Sequence, residues 1–157
     1  MSDSILQSLL TQAQKHAAVL IEDLSELQPL RPFSAGNLMS ASSGTLRILD
    51  QFNIRFTKLQ DVLGSKVYPR ILTQHGEDVH SLAFIDVLSR LEALGFIDSA
   101  DTWLSIREQR NRLSHDYLDD PDILAAELNS ALGAPEVLLE YWQNLQERIG
   151  NNQHLRA

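Results

Sequence analysis

A chain of 157 residues, 43% hydrophobic and 22% charged, has the length and make-up of one globular domain able to bury its own core. It holds no cysteine, which excludes disulfide frameworks, thiolate zinc sites and cysteine nucleophiles and makes the reducing cytoplasm the expected location. Thirteen Lys and Arg against 21 Asp and Glu give a net charge of −8, which disfavours broad binding to a polyanion and leaves room only for a local basic site.

The start Met1–Ser8 lacks the basic, apolar pattern of a signal peptide, and no window reaches the roughly 18 apolar residues of a membrane span, so no membrane partner is expected. Apolar residues from Leu6 through Leu9, Leu10, Ala13, Ala17, Leu20, Leu24 and Leu27 recur at steps of three and four, which predicts a long helix over 3–27. Pro29 and Pro32 end it, and Ser34 or Asn37 caps the next helix. The stripe Leu46, Leu49, Phe52, Phe56, Leu59 and Leu63 predicts a second long helix over 38–63, weak across the serines and glycines of 36–44. Gly64 and Pro69 interrupt the pattern, residues 71–79 read as a connection, and the path of 64–80 is left open.

A third helix is predicted over 81–94, stopping at Gly95, the usual residue just past a helix end. Asp98 or Ser99 caps a fourth, on which Trp103, Ile106, Arg110, Leu113, Ser114 and Tyr117 share one side. Asp119-Asp120-Pro121 turns into a last helical region over 121–149, broken or kinked at Gly133-Ala134-Pro135, with Tyr141 and Trp142 read as core. With no period-two strand pattern, the fold class is all-α: an antiparallel up-and-down bundle of four to six helices, one domain over 1–150 and a disordered polar tail over 151–157.

Chemistry concentrates at the end of the fourth helix. Arg107, Arg110 and Arg112 lie within six residues, followed by His115 and Tyr117. Arginine grips phosphate with a fork of donors that stays protonated, and histidine moves protons near neutral pH, so the combination points to phosphoryl chemistry. No Gly-x-Ser-x-Gly elbow, P-loop or Gly-x-Gly-x-x-Gly cradle is present. Arg110 and His115 stand about 140° apart on an ideal helix, so to cooperate they need a distorted helix end or a second copy of the helix across a two-fold axis. The plainer alternative, favoured by spacing alone, is a basic helix end that complements the macrodipole. His75 and His80, flanked by Glu77 and Asp78, form a weaker candidate metal set.

The string Arg110-Asn111-Arg112-Leu113-Ser114-His115-Asp116-Tyr117 resembles the Arg-x4-His-x-Tyr pattern of the HEPN superfamily, in particular the HepT-like toxins and the similar nucleotidyltransferase substrate-binding proteins. The resemblance covers roughly residues 80–120, including the helix ending in Leu94-Gly95-Phe96-Ile97 and Trp103 ahead of the motif. It implies a homodimeric, HEPN-like helical bundle that cleaves RNA without a metal or other cofactor. Arg110 then holds the scissile phosphate, His115 moves a proton, Asn111 orients the site, and Arg107 and Arg112 bind RNA phosphates. Tyr117 falls where a minimal nucleotidyltransferase antitoxin adds AMP, which places bulk and negative charge where RNA phosphate must sit. A non-catalytic nucleotide- or substrate-binding subunit of a nucleotidyltransferase is the second possibility that the resemblance carries, and a plain helical adaptor dimer is the third reading.

Overall fold

The structure, a computed structural model, describes residues 3–113 and 120–155, with side chains described as far as Asn151. Its elements are α1 (Ser4–Leu27), a 3-10 turn (Gln28–Leu30), α2 (Ala35–Met39), α3 (Ser43–Val62), a π turn (Leu63–Val67), α4 (Tyr68–Gln74), α5 (Phe84–Ala93), α6 (Ala100–Leu113), α7 (Pro121–Ala131) and α8 (Gly133–Leu155). The expected all-α bundle is present, with no strand among the described residues. No described helix is long and apolar enough to cross a membrane.

The helix ends follow local chemistry. Asp3 caps α1, its carboxylate accepting from the amides of Ile5 and Leu6 at 3.0 and 3.1 Å. Ser34 and Asn37 form a reciprocal capping box on α2, and Ser42 caps α3. Gly76 and Gly95 end α4 and α5 at positive φ, 82° and 81°. In both, the next amide bonds back to the carbonyl five residues earlier, Glu77 to Leu72 and Phe96 to Leu91. Asp120 caps α7 with Pro121 in its first turn.

Four expectations need correction. The second helix begins at Ser43 rather than near 38, because Ser34 and Ser42 each start a helix and split the segment in two. It does not stop at Gly64: the helical run passes through the π turn and Pro69 to Gln74. A proline inside an α-helix clashes with the carbonyl four residues back, and the wider turn directly before Pro69, closed by the Tyr68 amide on the Leu63 carbonyl, relieves that crowding. The third helix begins at Phe84 rather than Ser81, since Asp78 takes the His80 amide in a side-chain turn and Ala83 is extended. Finally, α8 continues through Gly150 to Leu155. An interior glycine costs about 1 kcal/mol of helix propensity, which does not by itself end a helix, so residues 151–155 are helical where a disordered tail was expected. Pro135 is tolerated because the break falls at Leu132 and the proline sits in the first turn of α8.

Packing is antiparallel along the main pairs. Going up α1, Asp3 meets Arg70, His16 meets Arg55 and Asp23 meets Gln51, so the partner's numbering falls as that of α1 rises. Along α6 the same reversal pairs Trp103 with Gly64, Arg110 with Gln60 and Leu113 with Asn53. α6 also packs on α5, α7 and α8, which makes it the central helix. Its anchor is Trp103, fully buried between Tyr68 at 4.8 Å and Tyr141 at 6.0 Å between ring centroids. The indole lies directly on Gly64, where a Cβ would stand 3.2 Å from Trp103 Cζ2.

Gly64→Val is expected to destabilise the protein by about 1–3 kcal/mol, because a branched side chain must push an immobile indole; urea unfolding followed by tryptophan fluorescence checks this. At the other end of the run, Arg70 holds the Asp3 carboxyl below its ordinary range, down to about 2. A depressed carboxyl stabilises the fold above about pH 4 and loses that contribution as pH falls through about 2. The stability difference between the wild type and Asp3→Ala is therefore expected to narrow over that range, as read from thermal midpoints against pH.

Candidate functional site

α6 places one face against the protein and leads it into the motif. Trp103, Ile106 and Leu113 are buried on that face, and Arg110 continues it. Arg110 reaches back to α3, where its Nε donates to Gln60 Oε1 at 2.9 Å and its terminal nitrogen pairs with Asp61 Oδ1 at 3.0 Å. The Arg110 side chain is 18% exposed and that of Asp61 50%, so the ion pair meets water on the Asp61 side. Gln60 itself is buried, one of two such polar residues with Asp23 among the described residues.

The arginines that crowd together in sequence are parted in space. The Arg107 guanidinium stacks 5.0 Å from the ring centre of Phe84 on α5. Arg112 pairs with Glu108 one turn back on its own helix at 3.1 Å. Asn111 is exposed. On an ideal helix Arg112 stands about 160° from Arg110 and about 140° from Arg107, while Arg107 and Arg110, one turn apart, reach different neighbours, Phe84 on α5 and the Gln60–Asp61 pair on α3. His115 and Tyr117, with Ser114 and Asp116 beside them, lie outside the described residues.

The end of α6 is held by a side chain. Asn53 Nδ2 donates to the Leu113 carbonyl at 3.2 Å, a side-chain bond from α3 to the last described residue of α6. Beside it lies a cavity of about 250 Å³ lined by Leu46, Phe52, Asn53, Leu113, Leu124 and Leu128. Its walls are largely apolar, suited to a hydrocarbon group rather than to an anion.

The alternative metal set is not assembled. His75 turns its Nδ1 to the Ile71 carbonyl at 2.9 Å and packs nearly perpendicular to the Phe96 ring, while Glu77 pairs with Arg90 at 2.9 Å. Among the described residues no three His, Asp or Glu side chains converge as metal ligands. Tyr141 and Trp142 are buried as expected; the Tyr141 hydroxyl bonds the Ser99 carbonyl and the Trp142 indole donates to Gln14.

Sequence reasoning gave neither Gln60 nor Asp61 a part in the site. A signal for Gln60 was present: it continues the series Phe52, Phe56 at steps of four, so an amide occupies a core position of the stripe. No family model, no curated protein and no solved structure matches the chain. Asn53→Ala is expected to cost about 0.5–1.5 kcal/mol by removing the bond from α3 to the Leu113 carbonyl, measured by chemical denaturation.

Proposed function

We propose that this chain is a HepT-like endoribonuclease toxin of the HEPN type, a cytoplasmic homodimer whose site combines Arg110 of one subunit with His115 of the other. What supports the reading is the motif Arg110–Tyr117, which begins on the central helix of an all-α bundle, with its first arginine anchored to α3.

In this reaction the ribose 2′-oxygen forms a bond to phosphorus while the bond to the 5′-oxygen breaks, leaving a 2′,3′-cyclic phosphate and a 5′-hydroxyl. His115 moves the proton that this exchange requires, and Arg110 takes up charge on the phosphate oxygens, a role suited to a guanidinium that stays protonated. Asn111 orients the phosphate, and Arg107 and Arg112 meet neighbouring phosphates of the strand. A minimal nucleotidyltransferase antitoxin adds AMP to Tyr117 and silences the site by charge and bulk. No resident cofactor takes part.

The net charge of −8, and the pairing of Arg112 with Glu108, favour a second reading. In it the chain is a non-catalytic subunit that holds a nucleotide or substrate for a nucleotidyltransferase partner. RNA incubated with purified protein in EDTA distinguishes the two. Under the first reading it is cleaved, and Arg110→Ala or His115→Ala slows cleavage by about 10²- to 10⁴-fold. Intact RNA with the wild type, or a monomer by light scattering, overturns the composite nuclease.

A further inference from the structure

Two partners of Arg110 on α3 differ in kind, and the difference suggests how the site is kept at rest. Gln60 is buried and neutral; its Oε1 accepts a hydrogen bond from Nε–H and fixes the plane of the guanidinium without cancelling its charge. Asp61 is half-exposed and anionic; it sits at 3.0 Å from a terminal nitrogen, the part of the fork that a phosphate engages. An ion pair with one member this open to water contributes little stability, so an incoming anion displaces the carboxylate at small cost. The Gln60 bond is shielded from water and need not break when that happens.

We propose that Asp61 is a resident counter-ion that occupies the phosphate position of Arg110 in the resting protein, and that Gln60 is a positioning residue that keeps the guanidinium aimed while Asp61 and RNA phosphate exchange. This rests on the reading of Arg110 as a phosphate-binding group. It adds a device of self-restraint: substrate must compete with a carboxylate carried on the neighbouring helix. The same arrangement selects for strongly anionic ligands, since a neutral group offers no replacement for the charge it displaces.

The test uses the full-length protein and a single-stranded RNA oligonucleotide with 2′-O-methyl riboses, which binds but lacks the attacking hydroxyl. Asp61→Asn removes the charge, keeps the shape and lies at the surface. It is expected to tighten binding about fivefold, and on unmodified RNA to lower KM. Arg110→Ala is expected to abolish the gain, so the double variant binds no better than Arg110→Ala alone. Gln60→Glu, which adds a buried negative partner, is expected to weaken binding in the opposite sense. If Asp61→Asn leaves affinity unchanged while Arg110→Ala removes it, the counter-ion proposal fails and the phosphate-binding reading of Arg110 stands. If neither wild type nor Asp61→Asn binds the oligonucleotide, both fail. Tighter binding by Asp61→Asn with no cleavage of unmodified RNA by either protein upholds the counter-ion and removes the nuclease.

Discussion

The seat of Trp103 on Gly64 sets the depth of the central helix. A tryptophan contributes more buried surface than any other side chain, and here its indole, at Cζ2 and Nε1, abuts a backbone that carries no Cβ, with two tyrosine rings packed on it. The position of α6 along α3 follows from that contact. Two turns further on, Arg110 comes level with the part of α3 that holds Gln60 and Asp61, and its long side chain spans the remaining distance. The π turn belongs to the same constraint, since it brings both Gly64 and Tyr68 against the indole within one helical run. The arrangement leaves the Tyr68 hydroxyl and Trp103 Nε1 buried with no acceptor among the described residues, a polar cost that the apolar contact outweighs.

Much of the architecture was legible because its signals are local. The α1 stripe, the Ser34 cap, Gly95, Ser99 and the Asp120-Pro121 start each act within a few residues, and each fell where the spacing placed it. The run through Gly64 and Pro69 was not legible for a tertiary reason. A glycine required by an approaching indole looks, within its own segment, like a glycine that breaks a helix. Likewise residues 81–83 read as the start of a helix until Asp78 is seen to take the His80 amide and Ala83 to be extended.

For the site, the motif was visible as a string of residue types, and the alignment of Arg110 with Trp103, Ile106 and Leu113 followed from helical period. What one segment could not contain was its partner on α3. The neutrality of Gln60 matters here: a carboxylate at that buried position would have to be desolvated along with the guanidinium, a balance that seldom favours the ion pair. An amide gives direction without that penalty, and leaves charge compensation to an open position where solvent shares the load. The dispersal of Arg107 and Arg112 onto Phe84 and Glu108 further shows that charge density along a helical sequence is a poor guide to field in space.

Asn129 on α7 bonds both backbone groups of Phe33, accepting from its amide at 2.7 Å and donating to its carbonyl at 2.8 Å. A single side chain thus does for Phe33 what a neighbouring strand does for a residue in a sheet. The two residues are 96 positions apart in sequence, yet the Phe33 amide has its partner only while α7 and the linker stay together. Separating the linker before α2 from the helix that comes after the motif therefore breaks two backbone bonds at once, so the ordering of each segment is tied to that of the other.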